Sequence, residues 1–185
     1  YVNLDIVDYG RNQIHDINTF PYPFPENHFD EIYASHVLEH IDNFNKTITE
    51  LYRILKPNGL MIVYAPFFLN TKYFGDPDHK IPFSIRTFDN YEFIGNRKLK
   101  FYEKWKLNHR TNYETGAQFE VLEKKFITSH FAALKWMDFI VNIEPVMYER
   151  FFSGIFSPEE VYFKLKAIKW LVLIRSISGW FSATN

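Results

Sequence analysis

Residues 29–66 read FDEIYASHVLEHIDNFNKTITELYRILKPNGLMIVYAP. Within this stretch, Phe29, Ile32, Tyr33 and Ala34 give residues 29–34 the character of a strand. Between residues 43 and 56 the period changes: Phe44, Ile48, Leu51, Tyr52 and Leu55 recur on one face of a helix. Asp42 or Asn43 can cap its start, and Pro57 and Gly59 close its end. Residues 60–65 are then a continuous apolar run stopped by Pro66, as suits a parallel strand covered on both faces. Strand, helix and strand in this order predict an α/β fold with a mainly parallel sheet.

Working outward, residues 1–6 read as a short strand ending at Asp5, and residues 13–17 as a second. The three prolines of residues 20–25 forbid helix and ladder pairing there, so their aromatic neighbours are expected to cover an apolar surface. Downstream, residues 86–94 are expected to be a helix capped by Thr87 or Ser84. Residues 119–127 and 160–167 should be strands. Residues 132–152 should be largely helical, bent or broken at Pro145, and residues 170–181 a short apolar helix. No repeat or linker divides the chain, so residues 1–185 are expected to form a single domain. Its cofactor-side half is residues 1–66, and its substrate-side half, with the C-terminal helix, is residues 67–185.

In an open parallel sheet, ligands bind beyond the carboxyl ends of the strands. Asp5 ends the first strand, Asp16 the second, and Ser35 and His36 follow the third. A carboxylate in such a place can accept from both hydroxyls of a ribose, and one a strand over can accept from an adenine amine. The set points to an adenosine-bearing cofactor, although Asp at a strand end also serves turns. A competing pattern overlaps it. His36-Val37-Leu38-Glu39-His40 reads H-x-x-E-H, in which His36 and His40 could share a helix face and ligate zinc as in a protease. Asp42 and Asn43 leave such a helix only about two turns, and no third ligand is evident. Glu39 and His40 are otherwise expected to cap local turns or to pair with Arg53.

The segments FDEIYASHVLEHI (residues 29–41) and ELYRILKPNGLMIV (residues 50–63), with Asp5, His15-Asp16-Ile17 and residues 23–28 before them, resemble a class I S-adenosylmethionine-dependent methyltransferase of the type 11 group. The resemblance is firm to about residue 66 and looser from Asp76-Pro77-Asp78-His79-Lys80 onward. It implies a Rossmann-like fold with helices on both faces of a mainly parallel, seven-stranded sheet in the order 3-2-1-4-5-7-6, the last strand antiparallel, and S-adenosylmethionine as cofactor. It further implies Asp5 at the cofactor ribose, Asp16 and Ile17 at the adenine, and Ser35 and His36 beside the methionine moiety. The family's glycine-rich loop lies upstream of Asp5, and none of the 7 glycines here forms a G-x-G. Because the chain starts at Tyr1 inside a strand, a further strand and loop are expected upstream. Without them the sheet should be split by roughly 9–10 Å, two strand spacings, and the cofactor bound poorly.

The function this implies is methyl transfer to a small-molecule, glycan or lipid acceptor. A hydroxyl acceptor needs a base. His79, oriented by Asp78, is the first candidate and His36 the second. Some quinone O-methyltransferases similar in this segment use a divalent metal; His36 stands where they have an acidic residue, and no metal is assigned. Phe67, Phe68, Tyr73, Phe74, Phe83, Phe88, Tyr91 and Phe93 could form an aromatic lid over the acceptor or ordinary core. The broad apolar face of residues 170–181 could dock on the domain, pair two copies, or touch a membrane surface.

Composition narrows the alternatives. There is no cysteine, which excludes disulfide scaffolds, Cys-based metal sites and thiol nucleophiles. Lys+Arg 21 against Asp+Glu 22 leaves a net charge of -1, so no nucleic-acid partner is expected. No apolar run approaches the roughly 18 residues that span a bilayer, and a cytoplasmic protein is expected. A non-catalytic, partner-binding relic of the methyltransferase fold is the alternative to an enzyme, and the metalloprotease a remote one.

Overall fold

A computed structural model describes residues 2–10, 13–93, 116–128 and 135–169. In chain order the elements are β1 (Leu4–Asp5), β2 (Gln13–Ile14), β3 (Phe29–Ser35), α1 (Phe44–Ile54), β4 (Leu55–Pro66) and α2 (Thr71–Phe74). A 3₁₀ turn (Asp89–Tyr91) follows, then β5 (Phe119–Ile127), α3 (Trp136–Val141), α4 (Pro145–Phe151) and β6 (Glu160–Ala167).

Four strands form one sheet in the order β3-β4-β6-β5. β3 and β4 are parallel, and β6 is antiparallel to both of its neighbours. β5 therefore points the same way as β3 and β4, and β6 alone is reversed. β1 and β2 are parallel and form a sheet of their own. Among the described residues no ladder joins β1 to β3, which is the interruption expected from the sequence. Taken in turn, β2-β1 and β3-β4-β6-β5 reproduce the implied strand order, less its first strand.

Strand alternation decides what each face carries. Met61, Val63 and Ala65 of β4 are fully buried and stand in register with Leu165, Phe163 and Val161 of β6, also fully buried. Ile48, Leu51 and Ile54 of α1 join the same core. The intervening Tyr64 and Tyr162 pack together at 4.9 Å on the other face, with Tyr33 at 5.7 Å from Tyr64.

Asn43 starts α1, its side chain accepting from the Lys46 N–H at 3.0 Å. The other end is tied to the far end of the chain. Lys169 Nζ donates to the carbonyls of Arg53 (2.9 Å) and Leu55 (2.5 Å), and the Tyr52 hydroxyl donates to Ile168 O. Carbonyls left over at a helix C-terminus thus gain a cation. Burial pulls the Lys169 ammonium below its ordinary pKa, against the charge of Glu26. On the buried side of α1, Glu50 and Arg53 staple down the proline-rich segment. Glu50 Oε1 accepts from the Tyr22 N–H at 2.8 Å, and Arg53 Nη2 donates to the carbonyls of Tyr22 and Phe24. Tyr22 is thereby fixed in the core, as expected for the aromatics of that segment.

One expected helix comes out differently, and another is broken where Pro145 was expected to break it. Of the stretch 86–94, the described residues 86–93 form only a 3₁₀ turn at Asp89–Tyr91. Ser84 and Thr87 satisfy one another in a turn, and Phe88 and Tyr91 are held in the core by Phe44 and Phe163. The helical stretch before Phe152 is two helices, with Pro145 at the first turn of the second. Between them Asn142 turns to the edge of β5, accepting from the Phe126 N–H at 2.7 Å and donating to the Phe126 carbonyl at 2.8 Å. A side chain thus takes the place of a neighbouring strand. The expected helix at residues 170–181 lies outside the described residues.

Candidate active site

β3 delivers His36 to the carboxyl ends of the parallel strands. The His36 N–H still makes a ladder bond to the Tyr64 carbonyl, yet its φ is 52°, in the left-handed region. Residues other than glycine hold that conformation only where the surroundings impose it. The chain turns sharply there, and the imidazole, 44% exposed, stands between two buried carboxylates. Nδ1 is 3.3 Å from Glu39 Oε1, and Nε2 is 3.5 Å from Glu160 Oε1. Glu160 opens β6, opposite Pro66 of β4 and Ile127 of β5, so the reversed strand brings its carboxylate to the same edge. Lys72 of α2 lies 3.3 Å from Glu160 and 2.7 Å from Glu159. Burial lowers the Lys72 pKa, but the Glu159 hydrogen bond and the two carboxylate charges outweigh it and hold the group above its ordinary value.

Residues 37–41 are a turn, with the His40 N–H donating to the Val37 carbonyl, and not a helix. His36 and His40 therefore share no helix face, and the metalloprotease reading loses its premise. Nor does Arg53 reach Glu39; its partners are Glu50 and the Tyr22 and Phe24 carbonyls. The loop after α2 closes over the 37–41 turn instead. The N–H groups of Lys80 and Ile81 both donate to the Glu39 carbonyl, at 2.7 and 2.9 Å. Asp76 shapes this loop through its side chain, which accepts from the Asp78 N–H. The carboxylate nearest His79 is Asp76, 3.7 Å from Nε2, rather than Asp78. The His79 side chain is only 8% exposed, with Nδ1 at 2.8 Å from the Tyr73 carbonyl and its ring 4.7 Å from that of His40.

On the other sheet, Asp5 and Asp16 stand at the carboxyl ends of adjacent parallel strands. Each uses one oxygen in a turn: Asp5 Oδ1 accepts from the Val7 N–H and Asp16 Oδ1 from the Asn18 N–H. The Ile17 carbonyl is taken by the Tyr22 hydroxyl. Among the described residues no hydrogen bond is made to the second carboxylate oxygens or by the Ile17 N–H. Acceptors for ribose hydroxyls and for an exocyclic amine, beside a donor for a ring nitrogen, are the chemistry an adenosine group requires. Ser35, half-buried at the end of β3, pairs in register with Tyr64.

Sequence reasoning missed Glu160 and Lys72: the antiparallel register of β6 brings Glu160 to His36, and Lys72 of α2 reaches Glu160 in turn. The aromatics divide. Phe67, Phe83, Phe88 and Tyr91 are core, whereas Phe74 is 70% exposed on α2. Among the described residues no helix is long and apolar enough to cross a membrane.

Comparison with known proteins bears on this geometry. Residues 5–63 match the methyltransferase domain family. The chain is 41% identical over 58 residues to a sterol 24-C-methyltransferase of Pneumocystis carinii, covering 31% of this chain and 15% of that protein. It is 28% identical over 103 residues to the ubiquinone/menaquinone biosynthesis C-methyltransferase UbiE of Pseudoalteromonas translucida, covering 50% and 37%. The chain thus spans well under half the length of these relatives. Among solved structures, an S-adenosylmethionine-dependent methyltransferase from Archaeoglobus fulgidus superposes with a TM-score of 0.54 at 16% identity, over 89% of this chain and 75% of that one. Residues 5–63 thus carry the match to the methyltransferase domain family, and the strands around them are arranged in the class I methyltransferase fold.

Proposed function

We propose that this protein is an S-adenosylmethionine-dependent methyltransferase with a small-molecule, glycan or lipid acceptor. The observation that carries the reading is the pair Asp5 and Asp16 at the carboxyl ends of adjacent parallel strands, inside the stretch that matches the methyltransferase domain. Asp5 would hold the ribose, and Asp16 with the Ile17 N–H the adenine; Ser35 and His36 would border the methionine moiety. When bound, the cofactor supplies an electrophilic methyl group on a sulfonium, and the protein's part is alignment and proton management.

Of the two histidines expected as base, His36 is the more open to solvent, and the role is assigned to it. Its Nε2 can exchange Glu160 for the acceptor and take a proton. His79 is nearly buried with Nδ1 at a carbonyl, and it stays beside the reaction. The names of the sterol and quinone C-methyltransferase relatives support an apolar, ring-bearing acceptor.

Calorimetric titration of the full-length protein with S-adenosylhomocysteine is the test. Saturable binding that weakens at least about tenfold in Asp5→Ala is expected, as for loss of a charged hydrogen-bonding group. Methyl transfer from labelled S-adenosylmethionine should fall roughly 10²–10⁴-fold in His36→Ala, the usual contribution of a base, with cofactor affinity retained. Absence of saturable binding sinks the reading.

A further inference from the structure

We propose that Glu39, His40 and His79 form a binding site for a divalent transition-metal ion of the kind that prefers imidazole, with Zn²⁺ as its representative. Each of the three can place one ligand atom within 4.8 Å of the others'. Neither Asp5 nor Asp16 takes part, so the site stands whether or not the protein transfers methyl groups.

The first argument is the carboxylate. Glu39 is fully buried, and neither of its oxygens has a hydrogen-bond partner among the described residues. His36 Nδ1 approaches Oε1 to 3.3 Å, but without the alignment of a hydrogen bond. Buried charges in folded proteins are paired or coordinate metals. A carboxylate set in the core without a donor is arranged for a partner other than protein.

The second argument is the tautomers. His40 Nδ1 lies 3.3 Å from the Asp78 carbonyl, and His79 Nδ1 lies 2.8 Å from the Tyr73 carbonyl. A carbonyl oxygen only accepts, so these contacts assign the proton of each ring to Nδ1. In the neutral form of each ring Nε2 then carries the lone pair, that of His79 facing Asp76 Oδ2 at 3.7 Å. A ligating histidine typically shows this arrangement, its second nitrogen donating to a carbonyl that fixes ring and tautomer. The two rings lie 4.7 Å apart.

The third argument is rigidity. The loop that carries His79 is fastened to Glu39 itself, through Lys80 N–H and Ile81 N–H on the Glu39 carbonyl. The His79 ring is also stacked on Tyr73. Tetrahedral zinc with bonds of about 2.0–2.1 Å wants its donors roughly 3.4 Å apart. Donors no more than 4.8 Å apart close that gap by small rotations of their side chains. Two imidazoles and one carboxylate suit zinc, iron, nickel or copper, whereas magnesium and calcium require oxygen ligands. Three protein donors leave a fourth position for water.

The test is titration of chelator-treated protein with Zn²⁺ by calorimetry, with Co²⁺ as a coloured reporter of coordination. One equivalent should bind, raising the thermal midpoint, and Mg²⁺ should not compete. His40→Gln, His79→Gln and Glu39→Gln should each weaken binding by at least about tenfold, the scale on which even outer-shell groups act. His28→Gln, an exposed ring stacked near Phe24 and Phe29, should bind like the parent. Should a histidine variant fail to fold, Glu39→Gln decides, since it removes a buried charge that lacks a hydrogen bond and should keep its metal-free midpoint. A folded Glu39→Gln that binds Zn²⁺ as tightly as the parent overturns the proposal. So does the absence of saturable binding.

Discussion

Glu50 and Glu39 both lie in the buried part of the fold, in neighbouring stretches, and only one of them accepts hydrogen bonds from the described residues. Glu50 accepts from the Tyr22 backbone and from Arg53, whose guanidinium also reaches the Tyr22 and Phe24 carbonyls. Glu39 has no hydrogen bond to either oxygen among the described residues. Desolvation costs both of them. The first recovers that cost inside the fold, holding residues 20–25 against α1. The second stands among histidines at the end of the sheet where ligands bind. Depth alone does not assign a role to a buried charge; the identity of its hydrogen-bond partners does.

The largest effect that can test this contrast is Glu50→Leu. It strands the Arg53 guanidinium and the Tyr22 N–H together, and should cost about 3 kcal/mol of unfolding free energy in urea, as for other broken pairs that are largely buried. A cost under about 1 kcal/mol, the scale of a surface pair, would mean that the staple is idle and that Glu50 resembles Glu39 after all.

A smaller effect is expected from acid. The Arg53 hydrogen bond, ahead of the cost of burial and the Tyr22 N–H, holds the Glu50 carboxyl below its ordinary value of 4.5. The folded state therefore takes up the proton less readily than the unfolded chain. The stabilisation from Glu50 is complete above about pH 4.5 and is lost as pH falls through the folded value. Denaturation curves at successive pH values should show a steeper acid loss in the parent than in Glu50→Gln, which has nothing to titrate there. Equal slopes would take Glu50 out of the acid response.

The sequence exposed the elements that are governed by local pattern. β5 and β6 match the expected bounds of 119–127 and 160–167, because continuous or alternating apolar residues mark a sheet wherever it pairs. Asn43 was legible as a cap because capping is a contact within one turn. Where tertiary contacts decide, pattern misled. Residues 86–94 read as a helix, but Phe88 and Tyr91 are core anchors of an irregular segment. Asn142 carried no sign that it would bond the edge of β5. The site followed the same rule. Asp5, Asp16 and His36 were legible because strand ends can be located from strands. Glu160 was not, since an antiparallel register brings it in from far along the chain, and Lys72 was not, since its role depends on meeting Glu160 there. His79 was noticed as a possible base, and its place beside His40 depends on a loop fold that no local pattern encodes.

The smallest effect is the most informative. Glu39→Leu keeps much of the side-chain bulk and removes a carboxylate whose oxygens have no hydrogen bond, so in chelator-treated buffer its unfolding free energy should stay within about 1 kcal/mol of the parent, with any change a gain. The same substitution that breaks the fold at Glu50 should be nearly silent here. The reason is physical: no N–H or guanidinium is stranded when Glu39 goes, because none donates to it. Only the 3.3 Å contact from His36 is lost, and that ring is 44% exposed and can turn to water. If Glu39→Leu instead loses as much as Glu50→Leu, Glu39 has a protein partner after all, and the two glutamates have the same role.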